Sequence, residues 1–444
     1  MIRFITQRIV DRIKMLRTIS HFGTSVAAQP RIDRQVSRPS KAAWRHRLIF
    51  ALLLSAGVPA HAASFNFPVN LPPTCSPTGL DYICRDLILN AGDTLTFAPS
   101  STVNVAVLGN FTVNEGVTIN GSGSARNLQF VVNGVTTTAS GTVVNANISS
   151  LGLGSVINIG DDSRVVGNLK TDDAAINVGD GTDIRGALST TARGVITVGK
   201  NSSVRGDLRT VTGAINVGAY SASGAIISTS AGAVTTKDFS VVNGKISTGA
   251  GAVTIGADST VLGSVTTSVG AITTGARSTV NGKLNNLDIS TAGAVTVGAA
   301  GVVNGPIATG AGAVTVGAGG IVNGSTVTGA GAVTVGANAE AGGVTTQDGA
   351  ITVGADSHMA GSLCTRNSGA ITVGARSRVD GNAITQRAGA ITVGANAVVV
   401  GIVRIENAGA LTIGASATVG RRLSKLQCVD LAQAPAAAPV IRTR

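Results

Sequence analysis

Between Gly251 and Gly270 the chain reads GAVTIGADSTVLGSVTTSVG, and its apolar side chains fall two apart, at Val253 and Ile255, with Val261 and Val265 further on. The same columns hold Ile196, Val198, Val204 and Leu208 in an earlier copy and Ile391, Val393, Val399 and Val403 in a later one. A period of two places alternate residues on opposite faces of a strand, whereas a helix needs apolar residues three and four apart. β-branched residues dominate these columns and suit a pleated surface, while long helix formers are scarce. Each copy predicts three short strands, with Gly256 and Gly263 at the sharp bends, where a residue without a Cβ turns freely.

Copies of this phrase begin at residues 155, 174, 194, 213, 232, 251, 270, 293, 312, 331, 349, 369, 389 and 409, fourteen in all. The copy from 270 is longer than the others and carries Asn285, Asn286, Leu287 and Asp288, which predicts a protruding loop. A fixed period in this range is the signature of a solenoid. One coil buries about four small aliphatic side chains at roughly 1.5–3 kcal/mol each. Ordering its backbone costs about 1–2 kcal/mol per residue. No coil folds alone, and stacking on neighbours supplies the remainder. The expected fold is all-β: a parallel β-helix (β-solenoid) of about 19-residue coils, three short strands per coil, preceded by an N-terminal cap. Fourteen coils at a strand spacing of about 4.8 Å give a rod of roughly 65 Å.

The residue after the first inward position is Thr or Asn in every copy: Asn158, Asn177, Thr197, Asn216, Thr235, Thr254, Thr273, Thr296, Thr315, Thr334, Thr352, Thr372, Thr392 and Thr412. Alternation points this column outward, and its same-face neighbours, such as Ala252 and Gly256, are tiny. A flat, weakly polar face with one hydroxyl ladder follows. Such a ladder either serves strand geometry alone or recognises an ordered surface, and the run from Thr235 to Thr412 is the candidate binding ladder. A second column, including Thr171, Thr190, Thr210, Thr248, Thr267, Thr309, Thr328, Thr346, Thr365 and Thr385, is expected at a corner, satisfying backbone there.

Outside the repeat the pattern changes. Residues 1–62 hold 11 of the 34 Lys and Arg but only Asp11 and Asp33 as acids, and they contain the single Trp44. A basic stretch, an apolar run from Leu48 to Val58 and Ala60-His61-Ala62 fit a secretory leader with cleavage after Ala62. That run is too short for an ordinary membrane-spanning helix, so no stable span is expected once the leader is removed. The remaining residues carry 23 basic and 20 acidic side chains, so the net charge of +12 is mostly leader. Nucleic-acid binding calls for a basic stripe interleaved with aromatics, and aromatics are 3% of the chain.

Residues 63–154 start Pro-rich and then turn strand-like, reading as a cap that merges into irregular first coils; 155–420 form the repeat; 421–444 read as a C-terminal cap with a disordered end. In an exported chain Cys75 and Cys84, closing a short loop, are expected to form a disulfide. Cys364 sits in a variable column expected to face outward. It either bridges to Cys428, with the tail folded back, or stays a free or intermolecular thiol, the reading preferred on sequence.

Candidates for chemistry are few. Beyond the leader His358 is the only histidine, which argues against a multi-His metal site or a Ser/His/acid triad. The column of Asp162, Asp258 and Asp356 also holds Asn201, Arg277, Asn338 and Arg376, so it makes no carboxylate ladder for calcium. Gly-rich phrases such as Gly310–Gly312 do not open a helix and do not read as phosphate loops. No catalytic residue, metal or cofactor is expected.

On its G-x-(apolar) phrases and valine-rich inward columns, the chain resembles the bactofilin-type, polymer-forming β-helix proteins. It is also similar to secreted bacterial Gly/Thr/Val-repeat surface proteins, in which a Cys-containing cap precedes GAVTVG coils. The resemblance covers about residues 75–420 and implies a parallel β-helix that self-associates. The leader, the coil length and the Cys75–Cys84 pair depart from bactofilins and point away from a cytoplasmic cytoskeletal role. The expected function is a non-enzymatic structural rod, secreted, periplasmic or on the bacterial surface, polymer-forming and matrix- or adhesin-like, whose partners are copies of itself or a surface polymer. The alternative is a module binding ice or another ordered surface through the Thr ladder. A third is a polysaccharide-acting β-helix enzyme, which requires two carboxylates within reach in one groove.

Overall fold

The computed structural model describes residues 62–79, 81–97, 102–286 and 293–422. The described residues fall in one compact unit. The leader up to His61, Leu287, Asp288 and, in the expected C-terminal cap and tail, residues 423–444 with Cys428 fall outside the described residues.

The unit is a solenoid of parallel strands in three long ladders. In the coil from Gly251 the strands are Val253–Ile255, Thr260–Val261 and Val265–Thr267, here called the first, second and third faces. Each pairs in register with its counterpart one coil on: Val253 with Ile272, Thr260 with Thr279 and Val265 with Leu284. Val253, Ile255, Val261 and Val265, the four expected inward aliphatics, are buried. Thr267 is a fifth inward residue, also buried.

The second Thr column ends the third strand, pointing inward, and satisfies the corner as expected. Thr248 Oγ1 donates to the Gly232 carbonyl at 2.9 Å and accepts the Gly251 N–H at 3.1 Å. Thr309, Thr328 and Thr346 donate to the carbonyl three residues on, each at 2.6 Å. A buried serine column does the same at another corner, for example Ser202 Oγ to the Gly179 carbonyl at 2.9 Å and Ser221 Oγ to Gly199 at 2.7 Å.

The bend chemistry differs from the sequence reading. Gly256 and Gly263 do not have positive φ; the left-handed residue is two positions after Gly256, at Asp258 (φ 55°), and the same corner holds Asn201, Arg277, Asn338 and Arg376 at φ 54–56°. Asn and Asp tolerate this conformation better than other non-glycine residues. Gly256 is small for a separate reason: a Cβ there would lie 2.4 Å from the Asp238 nitrogen of the previous coil. Close stacking of coils selects these glycines, while the left-handed corner favours Asp and Asn and also accommodates Tyr220, Phe239, Arg277, Ala300, Arg376 and Ser416.

Coiling starts well before residue 155. Leu87–Leu89, Phe111–Val113 and Thr136–Thr138 join the first face in register with Ile157, giving it seventeen strands among the described residues and a length of roughly 80 Å. These early coils are longer, and Phe fills the wider interior: Phe111 and Phe130 stack with centroids 4.7 Å apart. At the N-terminal end Phe67 packs against Tyr82 and Phe97, 4.6 Å from each. The hairpin Cys75–Thr78 and Asp81–Cys84 brings Cys75 opposite Cys84, and the two form the expected disulfide. Asn285 and Asn286 extend a third-face strand, so the expected loop does not include them.

Candidate functional site

The outward Thr/Asn column is a continuous ladder. Every rung from Asn158 through Thr235, Thr254, Thr273, Thr296, Thr315, Thr334, Thr352, Thr372 and Thr392 to Thr412 lies directly opposite the next. The early coils add Thr112 and Thr137, which the repeat phrase did not reveal; the motifs FTV and TTT carried that signal. Sixteen rungs at about 4.8 Å span roughly 70 Å. Asn177 Nδ2 donates to Asn158 Oδ1 at 2.8 Å. Among the described residues the ladder threonines make no side-chain hydrogen bond, so their hydroxyls face outward as donors and acceptors.

The C-terminal end of the solenoid is a second distinctive surface. Leu411 and Ile413 occupy the inward columns of the last first-face strand, yet each is 48% exposed, whereas Ile391 and Val393 one coil earlier are 0% exposed. Among the described residues no further coil covers them. The strand edge beyond them presents a template for pairing.

Cys364 corrects an expectation. It is buried and disulfide-bonded, with its partner outside the described residues; it is not a free thiol. Its outward neighbours on adjoining coils, Val327 and Thr345, are buried as well. This stretch of the third face is therefore covered, unlike the equivalent positions Ser228 and Ser247.

Charged groups sit at the corners. Arg376 pairs with Asp356 as Arg277 does with Asp258, and in each case the guanidinium hydrogen bonds hold the carboxyl below its usual range. His358 Nε2 lies 2.8 Å from Asp380 Oδ2, and Arg378 Nε donates to Asp380 Oδ1 at 2.6 Å. Burial pushes the Asp380 carboxyl up, but its bonds to His358 and Arg378 outweigh this and hold it low. Three surface clefts are lined by at most one carboxylate each, Glu340 or Asp207 where present. Among the described residues no group of three or more His, Cys, Asp or Glu is placed to hold a metal. No described helix is long and apolar enough to cross a membrane.

No protein-family model matches the chain, and no curated protein or solved structure matches it.

Proposed function

We propose that this chain is a non-enzymatic structural rod that self-associates end to end, as a polymer-forming matrix or adhesin-like component outside the cytoplasm. The observation that carries the reading is the exposure of Leu411 and Ile413, inward-column positions of the last described coil. Covering them removes apolar area from water, at about 25 cal/mol per Å², and satisfies an open strand edge. The disulfides at Cys75–Cys84 and Cys364 support an oxidising compartment. Negative-stain electron microscopy of the full chain across a concentration series tests it. Particles that lengthen with concentration, and stop doing so in Leu411→Asp/Ile413→Lys, support end-to-end assembly; wild-type particles of one length at every concentration sink it.

The unbonded hydroxyls of the Thr112–Thr412 ladder favour a second reading, binding of an ordered surface such as ice. A thermal-hysteresis measurement decides this: activity that disappears on introducing Lys at Thr315 and Thr334 supports it, and absence of activity with no crystal shaping removes it.

A further inference from the structure

One stretch of the solenoid departs from its regular section. Between the strands Thr118–Ile119 and Leu128–Val132 the chain inserts Asn120–Asn127, ending in a short 3₁₀ turn. Amides of the next coil pin it: Asn145 Nδ2 donates to the Asn120 and Gly121 carbonyls at 3.0 Å each, and Asn147 Nδ2 donates to the Ala125 carbonyl at 3.1 Å. The fixed insertion forms one wall of a cleft of about 600 Å³ over the second face, within the size range of ligand sites.

Arginine dominates the charge of that cleft. Arg126 comes from the insertion, Arg164 from the second-face strand and Arg185 from the coil beyond, and no carboxylate lines it. Arg185 is engaged by Asp183 at 2.9 Å, and Arg205 approaches the same carboxylate at 3.8 Å. Arg126 and Arg164 meet no carboxylate among the described residues, and both are exposed. Two guanidinium forks lining one cleft without a carboxylate partner among the described residues are suited to paired contacts with carboxylates.

The surface continues around the corner. Asn147 and Asn168 are shared with a second concavity on the third face, which adds Lys170 and Arg209 with only Asp207 as acid. Arg209 already pairs with Asp207. Amides and hydroxyls fill the rest, including Gln129, Ser149 and Ser189. A track with positive charge at intervals and neutral hydrogen-bonding groups between matches a chain with carboxylates at intervals and hydroxyls between. Single-stranded nucleic acid would need aromatic faces for its bases, and neither concavity has one.

We propose that the cleft between the Asn120–Asn127 insertion and the coils carrying Arg164 and Arg185 binds an acidic polysaccharide through its uronate carboxylates. This binding is independent of end-to-end assembly, since the cleft lies in the early coils and the exposed apolar edge at Leu411. The test uses the full chain with polygalacturonate oligosaccharides, neutral dextran oligosaccharides and single-stranded DNA as probes. Arg126→Glu/Arg164→Glu is compared with Arg387→Glu, an exposed arginine on a late coil. The expected result is salt-sensitive binding of polygalacturonate that weakens at least about tenfold in the double variant and stays unchanged in Arg387→Glu. Hydrogen exchange is expected to slow at Ser124–Asn127 and Arg164–Gly167 when the oligosaccharide is added. Equal affinity of the double variant and the Arg387→Glu control overturns the proposal, as does dextran binding as tight as polygalacturonate. DNA binding of equal strength with the same loss in the double variant overturns the polysaccharide assignment, and no protection in the cleft overturns its location.

Discussion

Arg277 and Asp258 occupy the same left-handed corner on successive coils, at φ 54° and 55°, and join through two bonds, Nε to Oδ1 at 2.7 Å and Nη2 to Oδ2 at 2.6 Å. Arg376 and Asp356 repeat the arrangement. In both, the folded carboxyl is held below its ordinary value, so the folded state binds its proton less readily than the unfolded chain. The resulting stabilisation is fully present above the unfolded carboxylate value near 3.9 and is lost as pH falls through the folded value. The melting temperature is expected to stay flat from pH 8 to about 5 and to fall below about pH 4. Asp258→Asn/Asp356→Asn should fall less steeply. Both pairs are exposed, so the difference is small and shrinks at high salt; an unchanged acid limb in the double variant assigns that loss of stability elsewhere.

The corner itself is tested at Asn201, whose φ is 55°. Asn201→Gly should leave stability nearly unchanged, and Asn201→Val should lower it by about 1–2 kcal/mol because a β-branched residue resists the left-handed region. Gly256→Ala should also destabilise, although its torsion is ordinary, because the new Cβ would meet the Asp238 nitrogen at 2.4 Å. Urea denaturation midpoints of the three variants separate torsional from packing demands. Equal tolerance of Val and Gly at position 201 contradicts the first.

Two threonines of one coil, Thr254 on the first face and Thr267 on the third, are expected to respond unequally to the same substitution. Thr267 Oγ1 donates to the Gly251 carbonyl at 3.1 Å and accepts the Gly270 N–H at 2.9 Å, with its side chain buried. Thr267→Val leaves both backbone groups without that partner and should cost about 1–3 kcal/mol. Thr254 faces outward, and Thr254→Val should change stability by no more than about 0.5 kcal/mol. Thermal melts of the two variants check this, and equal shifts would mean that the outward ladder is itself structural.

The inward columns were legible in the sequence because strand alternation writes burial directly into every second letter, as at Val253, Ile255, Val261 and Val265. The Thr ladder followed from the same alternation. The glycines were misread because freedom of torsion and closeness of stacking select the same residue; only a position such as Asn201, with a Cβ and positive φ, tells them apart. The coils before residue 155 lost the phrase but kept the register, since longer corners leave strand pairing such as Thr137 with Asn158 intact. Burial of Cys364 depends on what covers the third face, which alternation within one strand cannot encode. The Arg126–Arg164 cleft was equally hidden, because it joins an insertion to two separate coils and leaves no local motif.

The N-terminal end makes the last prediction. Cys84 is buried and tied to Cys75 in a hairpin whose second strand pairs with Val105–Val107, beside the cluster of Phe67, Tyr82 and Phe97. A disulfide closing a short loop contributes about 2–4 kcal/mol, but in a solenoid that contribution passes mainly to neighbouring coils. Replacing both cysteines by alanine should therefore speed amide exchange at Ser64–Phe67 and Asp81–Cys84 while leaving Val253–Ile255 as protected as before. This variant also spares the bond at Cys364, which chemical reduction would break. Loss of protection at Val253–Ile255 would mean that the end coil and the central coils unfold as one cooperative unit, and that coupling runs much farther along the rod than nearest-neighbour stacking implies.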